Sequence, residues 1–389
     1  MKTVLVIFGG RSPEHDVSIV SALASVIKPL ELANEYKVEA VYINKQGAWY
    51  WDDALKDIAL YRSGAIDDFM KKNQSPQIQL DGGLTLVKRG SLGRVQKTKI
   101  DIVFPVMHGS YGEDGSLMGL LEMAGIPYVG CDVPASAIAM DKVLAKQVVE
   151  ADSVPTAKWI WINKELLAID SSEVEKKAEG LRYPLFVKPA HAGSSIGITK
   201  VNQPSDLLNA VEVAAHYDTK ILIEEAVENL IEVTLPIIGN ESPTPALLER
   251  PLSHEGEFFD FEAKYMNGGK KGKAGGKAAA KKGAHGYSQV PAKLPSELYE
   301  KAERLGLEVY RLLGCKGIAR VDMLIDSKTN EVYFNEINPM PGSLYAHNWR
   351  RAGVSGVELV KMLINFAEEA YNQKQAVQTS FSTNYLKQF

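Results

Sequence analysis

Cysteine is nearly missing from this chain of 389 residues: Cys131 and Cys315 are the only two, far apart and without metal-knuckle spacing. That count excludes a disulfide scaffold and leads us to expect a reducing compartment, the cytoplasm. No apolar run reaches the ~18 residues of a membrane span, so none is expected. The apolar stretch in MKTVLVIFGG is short and runs into charged RSPEHD, not a small-residue cleavage site. It reads as a first β-strand rather than an export signal. Gly9-Gly10 follows that strand, but GxGxxG does not, so no nicotinamide or flavin site is supported. Strong net charge is lacking too: at −4 the chain as a whole is no polyanion binder. One stretch departs from this balance. No acidic residue lies between Glu262 and Glu297, and six lysines fall between Lys270 and Lys282, spaced only by Gly and Ala.

What is present is an ordinary globular composition, 45% hydrophobic and 24% charged, long enough for two or three domains. The first third alternates strand and helix. TVLVIF, VEAVYI and IDIVFPVMHG read as strands, and DGSLMGLLEMAG as a helix ended by Gly125. Ser12 and Pro13 are placed to cap and open a first helix. This alternation predicts an open parallel α/β sheet to about residue 131. ASAIAMDKVLAKQVVEAD predicts one long amphipathic helix. AKWIWI, YPLFVKPA, IGITKV, KILIEEAV and IEVTLPII, with a helix over PSDLLNAVEVAAHY, predict a small α+β unit to 240. GIARVDMLID and EVYFNEIN follow as two strands between helices, and the tail after 373 is polar.

The strongest candidate site is Asp322, Glu336 and Asn338. Glu336 and Asn338 are two apart on one strand and so share a face. Pairing with the Asp322 strand through SKTN would converge three oxygen donors of the kind that suit Mg²⁺. The alternative is a merely polar sheet face, disfavoured by the apolar residues around the acids. Arg320 shares that face, as a charge stabiliser beside phosphate or as an ion-pair partner of Asp322 or Glu336. Lys188 precedes a Gly/Ser loop, KPAHAGSSIGI, whose backbone could cradle phosphates or merely join two strands. It is no Walker loop, since the lysine comes first and no helix follows. Lys142, the ILIEEAV strand read as an edge, and Glu232 each read either as nucleotide contacts or as ordinary charged termini. Glu14 lies in a first helical turn, where a carboxylate could hold an ammonium group or simply cap. His108 opens a Gly-rich loop after a strand, where open α/β sheets bind ligands.

Together GGRSPEHDVS, HGSYGEDGSLMGLLEMAGIPYVG, SAIAMDK, KPAHAGSSIGI, EEAVENLIEV, FFDFEAKY, RVDM and NEINPMPGS closely resemble the D-alanine–D-alanine ligases of the ATP-grasp superfamily, over residues 1 to about 370. The resemblance implies a three-domain ATP-grasp fold of α/β and α+β type: an N-terminal open parallel-sheet domain over 1–131, a central subdomain over 132–240, and a C-terminal subdomain over 241–372, with a polar tail over 373–389. It implies that Lys142, Lys188, Glu224, Glu225, Val227, Glu232 and Lys264 hold ATP. Asp322, Glu336 and Asn338 would hold two Mg²⁺, with Mn²⁺ as a substitute. Glu14 would bind the first D-alanine's ammonium, with His108 beside it and Ser194 and Tyr265 completing a hydrogen-bonded set. Arg320 and the Gly342 N–H would form the oxyanion site.

The implied activity is ADP-forming ligation of two D-alanines through an acyl phosphate, for peptidoglycan precursors. The segment 266–290 would be a lid, and its Gly/Ala/Lys composition predicts disorder while the site is empty. A nucleic-acid arm is the lesser reading, since the basic run from Lys270 to Lys282 has no aromatics for stacking. No nucleic-acid or membrane partner is expected, and a homodimer is a family habit. One departure concerns the second substrate. Many relatives place serine and leucine where this chain has His347 and Asn348, so Ser343 or Tyr345 would have to bind its carboxylate, or the acceptor would be D-lactate or D-serine. The Lys264-Tyr265 pair favours D-alanine.

Overall fold

The computed structural model describes residues 1–89, 94–252, 288–379 and 382–389. Three four-stranded sheets organise them. In the first, β1 (Lys2–Gly9) pairs in parallel with β2 (Tyr36–Ile43) and with β7 (Ile102–Val106), and β3 (Trp49–Trp51) closes one edge antiparallel. Both faces of β1 are buried. Val4, Val6 and Phe8 enter one core, and Leu5 and Ile7 the other. That explains an unbroken apolar run where a one-sided sheet would alternate. A small antiparallel sheet of β4 (Gln77–Leu80), β5 (Leu84–Arg89) and β6 (Val95–Ile100) is inserted before β7.

The second sheet runs β10 (Thr199–Val201), β9 (Leu185–Pro189), β11 (Lys220–Glu225) and β8 (Trp159–Asn163), antiparallel throughout. The sequence predicted an exposed edge for ILIEEAV. It lies inside the sheet, between β9 and β8, because its alternating apolar residues Ile221 and Ile223 belong to that sheet's core. The third sheet runs β13 (Thr244–Pro245), β12 (Leu230–Gly239), β16 (Gly317–Asp326) and β17 (Glu331–Asn338). Here too the sequence grouping is corrected: β12 follows the second sheet in sequence but pairs along its whole length with β16. The short pair β14 (Arg250–Pro251) and β15 (Ser288–Gln289) completes the strands.

Two helix predictions change. The first helix begins at His15 rather than at Pro13, although the Ser12 hydroxyl still accepts the Glu14 N–H at 3.0 Å. The long helix predicted over 135–152 is two, Val133–Met140 and Lys142–Ala151. Asp141 divides them: its backbone is extended and its carboxylate accepts from the N–H groups of Val143 and Leu144, both at 3.0 Å. An aspartate in that position starts a new helix. Helix Gly356–Gln375 runs slightly past the predicted limit and packs Leu359, Val360, Leu363 and Ile364 into the core on one side of the first sheet. Leu344 and Trp349 join the same core, which ties the C-terminal segment to the N-terminal sheet.

Candidate active site

A cavity of about 550 Å³ opens where the three sheets meet. From the first sheet's loops it takes Glu14 and His108. From the second come Lys142, Lys188, Ser194, Glu224, Glu225 and Val227. From the third come Glu232, Arg320, Asp322, Glu336 and Asn338, with Gly342, Ser343 and Tyr345 after β17. The structure therefore brings together all the predicted residues that it describes. Lys264 and Tyr265, and the 266–287 part of the predicted lid, lie outside the described residues.

The third sheet supplies the acidic wall. Arg320 faces Asn338 across the β16–β17 ladder, and Asp322 faces Glu336. The register then slips by one: Met323 pairs with Phe334, so Asn335 is an extra residue in β17, a β-bulge. The bulge shifts the phase of the strand. Val332, Phe334 and Ile337 are buried in the core, while Asn335, Glu336 and Asn338 all line the cavity. Arg320 grips Asp322 with two bonds, at 2.7 and 2.5 Å. The guanidinium also lies 5.1 Å from the centre of the Tyr345 ring. Burial raises the Tyr345 phenol to about 12 despite the neighbouring Arg320, so it stays neutral.

The second sheet supplies the cations. Lys188 Nζ contacts Glu224 Oε1 and lies 3.3 Å from Asn335 Oδ1. Lys146, one turn into its helix and 1% exposed, approaches the other Glu224 oxygen at 3.0 Å. Burial alone would raise Glu224, but Lys146 and Lys188 outweigh it and hold its carboxyl at about 2. Lys142 Nζ donates to Ala192 O at 2.8 Å and lies 3.3 Å from Glu336 Oε2. Lys146 and Asn335 were not singled out from the sequence; helical spacing from Lys142 was the available signal for the first.

Glu14 sits between two glycine loops. A Cβ on Gly109 would come within 2.5 Å of the Ser12 hydroxyl and 3.1 Å of Glu14 Oε2, and one on Gly193 within 3.0 Å of the same oxygen. Gly109 also has φ +73, so the close approach and the backbone both require glycine. Ser194, at φ 53, hydrogen-bonds Glu14 Oε1. His108 Nε2 lies 2.9 Å from Ser21 Oγ, and that same hydroxyl accepts the Ser343 N–H at 2.8 Å. The His108 ring also hydrogen-bonds the Met340 backbone, so it is held between Ser21 and the segment after β17. Burial lowers the His108 pKa and keeps the ring neutral.

Glu113, overlooked in the sequence, is buried behind this group. It accepts from the N–H groups of Gly109 at 2.5 Å and Met340 at 3.2 Å. Burial and then the Glu14 charge raise it well above the usual carboxylate range. Beyond Gly342 the chain makes a left-handed turn with φ near +50 at Ser343, Leu344 and Tyr345. Each such residue costs about 1–2 kcal/mol, and the burial of Leu344 is what holds the turn.

His347 and Asn348 part company. Asn348 is fully buried, accepting from Leu247 N at 3.1 Å and donating to Leu247 O at 2.9 Å and Glu249 Oε2 at 3.1 Å. It braces the 247–249 segment and is not among the cavity-lining residues. His347 does line the cavity and reaches Glu249 Oε2 with Nε2 at 2.8 Å. Asn348→Ala strands a buried N–H and carbonyl and is expected to cost about 3 kcal/mol, read from the urea midpoint.

The Gly/Ser loop is clamped by His191. Its ring contacts Asp218 Oδ2 at 2.9 Å and Asp141 Oδ2 at 3.3 Å, and Lys220 Nζ joins Asp141 at 2.6 Å. Hydrogen bonds to Asp141 and then Asp218 raise the imidazole from 6.5 to about 9. A raised histidine contributes fully below pH 6.5, and that contribution fades as pH rises through about 9. The ring is half exposed, so water screens part of it. The His191 ring signal is expected to titrate near pH 9 by NMR, and His191→Asn to remove part of the alkaline loss of thermal stability.

Among the described residues no group of three or more His, Cys, Asp or Glu gathers to hold a metal. The oxygen set of Asp322, Glu336 and Asn338 has two carboxylates and one amide, which fits a hard divalent cation and not a soft one. Among the described residues no helix is long and apolar enough to cross a membrane.

A model of the "D-ala D-ala ligase N-terminus" matches residues 3–131, and one of the "D-ala D-ala ligase C-terminus" matches residues 148–365. A D-alanine--D-alanine ligase of Acetivibrio thermocellus is 38% identical over 387 residues, covering 95% of this chain and 97% of that one. One from Thermoanaerobacter sp. strain X514 is 38% identical over 385 residues, covering 96% and 98%. Among solved structures, the D-alanine-D-alanine ligase of Coxiella burnetii aligns at TM-score 0.75 and 25% identity, covering 97% of this chain and 98% of that one. The VanG D-Ala:D-Ser ligase of Enterococcus faecalis aligns at TM-score 0.75 and 29% identity, covering 94% and 99%.

Proposed function

Because the chain belongs to the D-alanine–D-alanine ligase family, we propose that it joins two D-alanines at the expense of ATP, in the cytoplasm, as a step of cell-wall precursor synthesis. It is an ADP-forming ligase with the ATP-grasp fold. The observation that carries the reading is one cavity with a carboxylate cradle at Glu14 and a cation-and-acid wall at Lys188, Arg320, Asp322 and Glu336. The first is suited to an ammonium group, the second to a phosphoryl group in transfer.

A carboxylate is a poor acyl donor, so the reaction begins by activating it. Glu14, oriented by Ser194 and crowded by Gly109 and Gly193, holds the first D-alanine's ammonium. Burial disfavours charge on both His108 and Glu113, so of the groups gathered there it is Glu14 that we assign to the ammonium. Glu225, Val227 and Glu232 hold adenine and ribose, Lys142 and Lys188 the phosphates, and the buried Glu224 fixes Lys188. Asp322, Glu336 and Asn338 would hold divalent metal, two Mg²⁺ or Mn²⁺ in our reading, which would neutralise phosphate charge. The γ-phosphoryl group passes to the D-alanine carboxylate, and Arg320 balances the charge that builds there. The second D-alanine's amine attacks the acyl phosphate. Arg320 and the Gly342 N–H face the resulting oxyanion, and phosphate leaves. Lys264, Tyr265 and the basic 266–290 segment are assigned to this site from the sequence resemblance alone, and a homodimer rests on the same resemblance.

A second reading keeps the mechanism and changes the acceptor to D-serine or D-lactate; His347 in the cavity wall favours testing it. Phosphate release with ATP and Mg²⁺ separates the two, using D-alanine alone and then with D-serine or D-lactate, products identified by mass spectrometry. Dipeptide from D-alanine alone supports the main reading. Turnover only with a mixed pair supports the second, and none with any pair sinks both.

A further inference from the structure

Resting on the ATP site of the ligase reading, we propose that His191 is a positioning residue for the nucleotide: by bridging Asp141 and Asp218 it sets the start of the Gly/Ser loop against Lys142 in the arrangement that takes the phosphates. The two carboxylates come from different elements. Asp141 starts the helix Lys142–Ala151, and Asp218 lies between the helix Leu207–Ala215 and β11. Their side chains are only 6% and 9% exposed. Two anions so far from water need two cations. Lys220 serves Asp141 at 2.6 Å, and the His191 ring joins Asp141 Oδ2 at 3.3 Å to Asp218 Oδ2 at 2.9 Å. The His191 N–H adds a second bond to Asp218, at 2.7 Å. A neutral ring carries one proton and can donate to only one of the two carboxylates.

Lys142 is the residue that depends on this bridge. Its N–H donates to Ala190 O at 3.1 Å and its Nζ to Ala192 O at 2.8 Å, so it holds both neighbours of His191. Asp141, immediately before it, is the carboxylate that the ring grips. Lys142, Ala192 and Ser194 line the cavity and His191 does not, so the histidine acts through them. The loop that follows is costly to hold. Ser194 and Ser195 are both left-handed, at φ 53 and 60, and such a loop needs fixed ends. His191 supplies one end. Gly197 is the other: a Cβ there would lie 2.7 Å from the Tyr217 ring and 2.9 Å from Pro189. Tyr217 and Asp218, adjacent in one turn, thus fix both ends of the loop. His216, on the same turn, sets its ring edge-on to Tyr217 with centroids 5.2 Å apart. The groups that charge the imidazole are Asp141 and Asp218, and Lys220 shares Asp141 with it.

ADP binding with Mg²⁺ to the full-length enzyme tests this, measured by isothermal titration calorimetry at about pH 7.5 and about pH 9.5 so that no acceptor amine is involved. At the lower pH the bridge is whole; at the higher most of the imidazole is neutral. The wild-type dissociation constant is expected to rise about threefold between the two. His191→Asn keeps a donor for Asp218 but is too short for Asp141. It should bind ADP about tenfold more weakly than wild type at the lower pH, change little at the higher, and keep kcat at saturating ATP within about threefold. His191→Arg restores a cation that does not titrate here. It should bind within about twofold of wild type at the lower pH and lose the pH dependence. ADP binding by His191→Asn equal to wild type, even with a lowered melting temperature, overturns the proposal. So does a rise with pH that His191→Arg shares, a comparison that decides the matter even where His191→Asn fails to fold. A wild-type enzyme that binds no ADP overturns the nucleotide site and this inference with it. One that shows the expected pattern but forms no dipeptide sinks the D-alanine assignment and leaves His191 in its role.

Discussion

Arg320→Met should lower kcat for dipeptide formation by about 10³, the scale seen when one charge-stabilising donor is removed from an acyl-transfer site. Methionine keeps the stem and loses the fork. The structure shows the residue bound to Asp322 by two bonds, so a purely structural role predicts a different result: lost stability from an unpaired Asp322, with most of the rate kept. Urea unfolding alongside stopped-flow phosphate release tells these apart. Arg320→Lys sharpens the comparison, because lysine restores charge without bidentate geometry and should recover only part of the rate. A variant within about tenfold of wild type would confine Arg320 to its ion pair.

Glu336→Gln is expected to be comparably severe. It keeps shape and removes one of the two carboxylates of the oxygen set. A loss of about 4 kcal/mol in stabilising the transferring phosphoryl group corresponds to about 10³ in rate. The half-saturating Mg²⁺ concentration should rise in parallel, and Mn²⁺ binding with nucleotide, followed by electron paramagnetic resonance, should weaken. Unchanged metal binding would remove Glu336 from the metal set. Lys142 also loses its partner in this variant, so Lys142→Met serves as the control for that ion pair.

Much of the site could be read in the sequence because its residues interrupt strong patterns. Acids inside the apolar strands β16 and β17 cost too much to be incidental, and the SKTN turn between them fixes their pairing. The failures have physical causes. Apolar periodicity runs straight through Asp141, so it cannot show that the carboxylate there caps a new helix. β12 is apolar enough for either neighbouring sheet, and its partner β16 lies far down the chain, where local pattern has no reach. Glu113 sits in a loop without period and owes its burial to a backbone N–H from Met340. Asn348 and His347 looked alike as departures from the resemblance, and only their hydrogen bonds separate brace from cavity wall.

The bulge at Asn335 has a consequence for how this gene can vary. Strict alternation from Asn338 back along β17 would put Phe334 on the cavity face; the extra residue is what lets Phe334 stay in the core while Glu336 faces Asp322. Loss of the single codon for Asn335 would therefore restore strict alternation with Phe334 still in the core and Glu336 still facing Asp322, and would remove only the bulge and the Asn335 contact with Lys188. Loss of Tyr333 or Ile337 is different: it makes Val332 adjacent to Phe334, or Glu336 adjacent to Asn338, and alternation then sends one of the pair to the wrong face. Substitutions along the strand are graded in their effect, but a change of length away from the bulge is not, whereas the bulge can lose its extra residue and the exposed 327–330 turn can absorb a change in solvent. Along the hairpin, single-residue deletions should accumulate among relatives at the turn and at the bulge and be purged elsewhere in the two strands.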